Sequence, residues 1–460
     1  MELHDAIDHY HGLLDEDTAR ATYAQLDAAI RARGMLVGQQ RDRLICSVLR
    51  PRLLTETQLA ALEQAATLVG RAIRKVGAAT LERPELLEPY ALTPTEQALL
   101  AIDPGYPGAA AFGRLDGFLA ADGGECWFVE SNLESPAGIG YDEAMVELFD
   151  QIDIMKAFRK TYRAEALPHR QGLQQLLLDT YRAWGGQGTP TIAIVDYREA
   201  VTWPEFEHLR DRFAAEGLPT VIADPGWLTY DGTRLYASLP DRPAPVAIDL
   251  VYRRVLQHEL LAKYDLDHPL VRAYADRAVC VVNPFRSKPV HTKLIMALLS
   301  DDSGPAAGLL DAEERAAVER HVPWTRQVRG GVTRYQGQQV PLLTFAQRNR
   351  ERLVLKPNDD YGGQGVLLGW ETDQTSWDRA LAAAQSAPFV IQERVPVPRE
   401  DYPTWTPEQG LQIAPRYVDA DPCVYGDRAV GCLTRISASA LLNVSAGGGS
   451  APPTFVVRLQ

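Results

Sequence analysis

The chain has 460 residues, 46% of them hydrophobic and 23% charged, enough apolar surface for a large core spread over roughly two to four domains. Its 47 basic residues against 60 acidic ones give a formal charge of −13 with no basic run, which argues against nucleic acid or an anionic membrane as partner. Met1 to Asp5 lacks a basic stretch followed by an apolar core, and no window approaches a membrane span, so a cytoplasmic location is expected. Cys46, Cys126, Cys280, Cys423 and Cys432 are odd in number and lack CxxC spacing, and they read as buried free thiols. His9 and His11 read as surface residues.

The first hundred residues read as helical. Leu59, Leu62, Ala66, Val69, Ile73 and Val76 recur at helical spacing, with Thr55 or Thr57 as N-cap and Gly77 as the stop. No chemistry is visible there, and the sequence leaves open whether this region covers a sheet, forms a dimer face or binds a partner.

A hairpin follows. Along its strands Phe112, Arg114, Asp116 and Phe118 share one face, as do Phe128, Glu130 and Asn132. With Asp122, Gly123 and Gly124 as a three-residue loop, Ala121 faces Glu125, which sets Asp116 opposite Glu130 and Arg114 opposite Asn132. Opposed side chains have Cβ atoms about 4.5–5.5 Å apart, and two carboxylates that close repel unless a cation lies between them. The face therefore reads as a site for a hard divalent ion; a solvent-facing polar ribbon is the competing reading. A helix is expected from about Tyr141 to Arg163, with Met145, Leu148, Phe149, Ile152 and Phe158 in the core.

A second unit begins after Pro168 with a helix ending at Gly185. Strand Thr191–Val195, helix Trp203–Glu216 and strand Thr220–Ala223 make a βαβ pattern, which predicts a parallel, doubly wound sheet. Thr202 to Glu205 carries a capping-box signature with Pro204 in the first turn. Val246 to Arg254 reads as one buried strand emerging into Arg253 and Arg254. The first strand lacks the GxGxxG turn, which argues against a Rossmann-type oxidoreductase.

The third unit runs from about Pro284. His291, Thr292 and Lys293 open an apolar helix with Leu294, Ile295, Leu298 and Leu299. Arg352 to Pro357 is a short strand carrying Lys356; a loop with Gly362, Gly363 and Gly365 leads to a return strand, Val366 to Trp370. Glycine alone readily enters the positive-φ conformations that aim successive N–H groups at an anion, and a lysine at the root adds a point charge. Pro388 to Arg394 is a strand reaching Gln392 and Glu393, a hinge whose backbone can read an adenine edge. Arg435, Asn443 and the glycine run at 445–449 add a donor, a ligand and a close-approach loop. Arg253, Arg254 and Arg286 are candidates for carboxylate recognition, with structural arginines as the competing reading.

In order, R-x-D, E-x-N, a lysine before a helix, LKP with a glycine flap, QE, and R followed by N-x-S-x-GGG resemble the circularly permuted ATP-grasp ligases, the group that contains the glutathionylspermidine synthetases. The resemblance covers the chain from about Phe112 onward. It implies an α/β (α+β) ATP-grasp fold in permuted order. The divisions are a helical region at 1–100, a metal-binding hairpin and helix at 101–165, a Rossmann-like pre-ATP-grasp domain at 166–285, and nucleotide-binding lobes at 286–460. It further implies ATP and Mg2+ as cofactors. On that basis Asp116, Glu130 and Asn132 hold magnesium, Lys293 and Lys356 contact phosphates, and Gly362, Gly363 and Gly365 form the lid. Gln392 and Glu393 line the adenine, and Arg114 steadies the transferring phosphoryl group; Arg435, Asn443, Arg253 and Arg286 are candidates for substrate or phosphate. Asp359 and Asp360 stand before the flap where some relatives carry glutamate, and the amidase domain of bifunctional relatives has no counterpart. The activity implied is ATP-dependent ligation of a small-molecule or peptide carboxylate to an amine through an acyl phosphate. A non-catalytic nucleotide-binding scaffold and an ATP-dependent phosphotransferase are the rivals.

Overall fold

The computed structural model describes residues 3–38, 40–360, 363–444 and 449–459. Gly362 of the expected lid and 445–448 of the last glycine run lie outside the described residues. The fold is mixed α/β, and three sheets converge on one cavity.

The hairpin strands Phe112–Leu119 and Cys126–Asn132 belong to an antiparallel sheet whose other members, Asp421–Tyr425 and Arg428–Leu433, arrive from far along the chain. The second sheet is parallel, in the order Cys280–Val282, Leu250–Arg253, Ile192–Val195 and Thr220–Ala223. It is the doubly wound sheet that the βαβ pattern predicts, and its strands are buried throughout. The third, antiparallel sheet holds Thr325–Gln327, Phe389–Glu393, Leu353–Pro357 and Leu367–Leu368, the last two flanking the glycine loop. Away from the cavity's centre, Thr454–Leu459 lies between Arg52–Leu54 and Tyr162–Ala166.

Several local expectations are corrected. The segment Val246 to Arg254 is two strands: Val246–Ile248 pairs antiparallel with Leu235–Ala237, while Leu250–Arg253 joins the parallel sheet. Asp249 divides them, its carboxylate accepting the Thr191 N–H at 2.9 Å. The helix expected over 141–163 breaks at Ile152 into Ile139–Gln151 and Asp153–Phe158, with strand Tyr162–Ala166 beyond; its apolar stripe is core, as expected. Helix Trp203–Ala215 starts where Pro204 predicts, yet Thr202 makes no side-chain cap. Glu205 is instead drawn to another helix end, accepting the N–H groups of Gly138 at 2.8 Å and Gly140 at 3.1 Å. His9 is not a surface residue: its ring lies 5.4 Å from that of Tyr162, and both His9 and His11 are half-buried. All five cysteines are buried and free. Among the described residues no helix is long and apolar enough to cross a membrane.

Gly77 is a different kind of correction. Helix Glu56–Glu82, capped by Thr55 and Gln58, runs straight through it. A Cβ at Gly77 would collide with Val290 Cγ1, so the glycine admits the short helix Lys288–His291, which leads to Lys293. Alanine in place of glycine favours a helix by about 1 kcal/mol, but overpacking costs about 1–3 kcal/mol. Gly77→Ala is expected to lower Tm, and Val290→Ala in the same chain to restore part of the loss; thermal melts of the single and double variants check it.

Candidate functional site

The hairpin pairs Arg114 with Asn132 and Asp116 with Glu130. It reaches that register by a different route from the one expected. Ala120 N–H donates to Glu125 O at 2.8 Å, so the turn is one residue longer, and a bulge between Asp116 and Gly117 absorbs the difference at Val129. The bulge flips Phe128 away from Glu130 into the core, where it is fully buried, while Val129, Glu130 and Asn132 line the cavity. Buried Asn283 clamps both strands: its Oδ1 accepts Ala111 N–H at 2.9 Å and Phe112 N–H at 3.0 Å, and its Nδ2 donates to Phe112 O at 2.7 Å and Leu133 O at 3.1 Å.

On the cavity face a charge network surrounds Asp116. Arg114 grips it from Nε to Oδ1 at 2.7 Å and from Nη2 to Oδ2 at 2.9 Å, and Arg435 Nη2 reaches Oδ2 at 2.8 Å. Arg435 also bonds Asp419 Oδ2 at 2.6 Å and lies 3.0 Å from Asp421 Oδ2. That last approach is not hydrogen-bonding geometry, for Asp421 Oδ2 is buried without a hydrogen bond. Two guanidiniums thus face three carboxylates. Burial alone would raise Asp116, but Arg114 and Arg435 outweigh it and hold its carboxyl well below the usual range. At Asp421 burial wins over Arg435, and its carboxyl is pushed well above that range. A protonated Asp421 leaves two positive and two negative charges, a balance suited to a buried cluster.

The oxygen-only donors Asp116, Glu130 and Asn132 fit a hard divalent cation in kind. In this structure protein cations hold the two carboxylates: the arginines hold Asp116, and Lys293 Nζ lies 3.0 Å from Glu130 Oε1.

The lysines converge on the same cavity. Lys293 also donates to Asp360 O at 2.6 Å, and buried Lys288 donates to Asp359 Oδ1 at 2.7 Å, so both residues leading into the flap are held by ammonium groups. Gly363 and Gly365 adopt φ of 75° and 67°, the left-handed region that favours glycine. Lys356 donates to Gln392 Oε1 at 2.6 Å and Val129 O at 3.3 Å, and burial pushes its ammonium down to about 8. If Lys356 meets phosphate, ATP affinity falls by up to about tenfold per pH unit as pH rises above this value, because the neutral amine has no charge to offer. Lys356→Arg, charged throughout, is expected to flatten that slope in a titration of ATP binding against pH.

Gln392 and Glu393 line the cavity, but the expected backbone hinge is occupied. Glu393 N–H donates to Trp324 O and Arg394 N–H to Arg352 O, each at 2.8 Å, because Phe389–Glu393 is an interior strand. The Gln392 amide is engaged by Lys356 and Thr325, so it orients a lysine. Arg394, Val395 and Val397 line the cavity beyond the strand end.

Arg435 and Asn443 line the cavity; Arg253 and Arg286 do not. Arg253 is wholly buried, bonded to Glu134 at 2.7 Å and to the carbonyls of Val255, Asn283 and Pro284. Arg286 donates to Leu100 O and Ala101 O, at the end of helix Pro94–Ala101. Both guanidiniums are therefore bonded within the protein, away from the cavity. Sequence reasoning missed Asp419 and Asp421, although their alternation matches that of Arg114 and Asp116. It also missed Asp142 and Asp196, buried in the cavity wall, which burial pushes up to about 8 and about 7 respectively.

The cavity has a volume of about 810 Å³, room for a nucleotide and a small substrate together. The cavity lies where the doubly wound sheet meets two antiparallel ones in a mixed α/β fold. No protein-family model matches the chain. A glutathione synthetase-like effector from Globodera pallida resembles it with a TM-score of 0.58 at 11% identity, over 96% of this chain and 98% of that one, so the two share a fold. A putative glutamate–cysteine ligase 2-2 from Frankia casuarinae is 25% identical over 354 residues, 72% of this chain and 36% of that protein; the chain spans about a third of that relative's length. A putative γ-glutamylcysteine synthetase from Methylobacillus flagellatus, with a TM-score of 0.39 at 10% identity over 88% of this chain and 89% of that one, is too distant to bear on the fold.

Proposed function

We propose that the chain is an ATP-dependent carboxylate–amine ligase on a circularly permuted ATP-grasp fold, forming an amide through an acyl phosphate. The observation that carries this reading is the convergence of Arg114, Asp116, Glu130 and Asn132 with Lys293, Lys356 and the flap glycine Gly363 on one cavity. The likeness to the Frankia glutamate–cysteine ligase supports a ligase acting on amino-acid substrates, and the Globodera effector supports the fold. The acidic hairpin precedes both lysines, the order that a permuted chain requires. The sequence divisions at 1–100, 101–165, 166–285 and 286–460 are proposed with it.

In this mechanism Lys293 and Lys356 bind the phosphates of ATP, and Arg114 and Arg435 stabilise charge on the transferring phosphoryl group as a substrate carboxylate attacks it. Asp116, Glu130 and Asn132 would hold Mg2+, which when bound supplies further charge neutralisation at the phosphate oxygens. Gly363 and Gly365 let the flap backbone approach the phosphates and exclude water from the acyl phosphate. An amine then attacks the acyl carbon, the C–N bond forms, and phosphate leaves.

The test is ADP release from Mg-ATP against pooled carboxylates and amines, with an Asp116→Ala/Glu130→Ala variant as control. Release that needs both pools, yields an amide and vanishes in the variant is expected. Failure to bind ATP overturns the nucleotide site, and a phosphorylated product without amide overturns the ligase.

A further inference from the structure

The parallel sheet contributes a second polar cluster to the cavity, one the nucleotide does not need. After Ile192–Val195 the chain crosses to Thr220–Ala223 on one side, then returns to place Leu250–Arg253 on the other. The strand order therefore reverses between Ile192–Val195 and Leu250–Arg253. Open α/β sheets bind ligands in the crevice that such a reversal leaves at the carboxyl ends of the strands. The first residues beyond those two ends are Asp196 and Arg254, and both line the cavity.

Each has spare bonding capacity. Asp196 is 8% exposed; its Oδ1 accepts the Tyr197 N–H at 2.8 Å, and its Oδ2 makes no hydrogen bond among the described residues. Arg254 is 5% exposed; its Nη1 donates to Pro136 O and, at 3.2 Å, to Tyr252 OH. Its Nε is buried without a hydrogen bond, and its Nη2 has only Glu205 Oε2, 3.9 Å away. Glu205 accepts the N–H groups of Gly138 and Gly140 through Oε1, while its Oε2, which faces Arg254, is buried without a hydrogen bond and offers the guanidinium a counter-charge but no bond. Among the described residues no ion pair joins Asp196 to Arg254. The two groups therefore attract each other across the crevice, the guanidinium opposing the upward push of burial on Asp196, without a direct contact that would use up either one.

The crevice adjoins the phosphoryl-transfer end of the cavity. Arg254 holds the carbonyl of Pro136, and Arg114 holds that of the next residue, Ala137, at 2.5 Å. The two guanidiniums are thus tied to consecutive carbonyls of one short segment.

We propose that this crevice binds the amine substrate as a free α-amino acid, its carboxylate on Arg254 and its ammonium on Asp196, with the α-amine turned toward the acyl phosphate. A zwitterion matches the pair of charges; a polyamine would leave Arg254 unmatched, and a simple carboxylic acid would leave Asp196 unmatched. In the reaction the ammonium gives one proton to Asp196, the freed amine forms the C–N bond as the C–O bond to phosphate breaks, and the second nitrogen proton leaves on the departing phosphate. Burial favours a protonated Asp196 product state, which suits a proton acceptor at this position. The inference rests on the ligase reading for the role of the amine, but the binding of a zwitterion is separable from it.

The experiment is direct binding without ATP, by calorimetry, of each common L-α-amino acid. Any that binds is compared with its decarboxylated amine and its 2-hydroxy acid, and spermidine is included. At least one amino acid is expected to bind, with both analogues and spermidine weaker by tenfold or more. Asp196→Asn, which keeps the volume and the bond to Tyr197, is expected to weaken it by tenfold or more with an unchanged melting profile. The proposal is overturned if no amino acid binds, if either analogue or spermidine binds as well, or if Asp196→Asn has no effect. ADP release with the binding amino acid and a carboxylate pool is scored separately. Binding without turnover would count against the ligase and leave the zwitterion crevice standing, whereas turnover with amines lacking a carboxylate would do the reverse.

Discussion

Asp116→Asn is expected to reduce ADP release by about a thousandfold or more, a loss of about 4 kcal/mol at the transition state, while most of the fold's stability survives. The asymmetry follows from the cluster's proton. In the native chain Asp116 carries the charge that both Arg114 and Arg435 grip, and Asp421 is pushed toward its neutral form. Removing the charge at Asp116 lowers the cost of ionising Asp421, which lies 3.0 Å from Arg435 Nη2 and 3.7 Å from Arg114 Nε. The buried guanidiniums keep a counter-charge, so the stability loss is expected below the roughly 3–5 kcal/mol that an uncompensated pair costs. The site nonetheless loses the carboxylate opposite Glu130, and Asp421 has no strand partner there. Adding Asp421→Asn to Asp116→Asn is expected to destabilise by more than the sum of the single changes, which a double-mutant cycle in urea measures.

Glu134→Ala is expected to cost about 3–5 kcal/mol of unfolding free energy, among the largest effects of any single change. Glu134 is 1% exposed and bonds Arg253 Nη1 and Gln257 N–H, both at 2.7 Å. Lys288 Nζ lies 3.9 Å from its other oxygen, which makes no hydrogen bond. Truncation leaves Arg253 charged, wholly buried and without its carboxylate. Burial raises Glu134, but Arg253 and Lys288 outweigh it and hold its carboxyl well below the ordinary range. The unfolded chain therefore binds a proton that the folded chain does not. The pair's contribution is complete above the unfolded value of about 4.3 and is lost as pH falls below it toward the folded value. Urea melts at neutral and acid pH should show wild type and Glu134→Ala approaching each other as pH falls; parallel curves would sink the assignment.

The parts legible in the sequence were those set by neighbours in the chain. Alternation placed Arg114 and Asp116 on one face, and glycine chemistry marked the flap. The hairpin register at the site came out right through two compensating errors, a turn one residue too short and an unseen bulge at Val129. The bulge has no local signature, since it is set by how Glu130 and Phe128 divide between cavity and core. Asp419 and Asp421 matter because their strand region joins Phe112–Leu119, some three hundred positions earlier, and no local pattern carries that pairing. Gly77 and Glu205 failed for the same reason: each has a partner, Val290 or Gly138, on another element.

The placement of Thr454–Leu459 between Arg52–Leu54 and Tyr162–Ala166 imposes an order on synthesis. A ribosome makes both flanking strands early, yet neither can complete its ladder until residues 454–459 have emerged. Until then each flank presents a bare edge, the kind of surface that recruits other strands. The same late arrival finishes the cavity wall at Ala451 and Pro452. A nascent chain released short of Thr454 would therefore carry the whole charge cluster and every lysine of the chain while both flanking edges stay bare, and it would tend to aggregate.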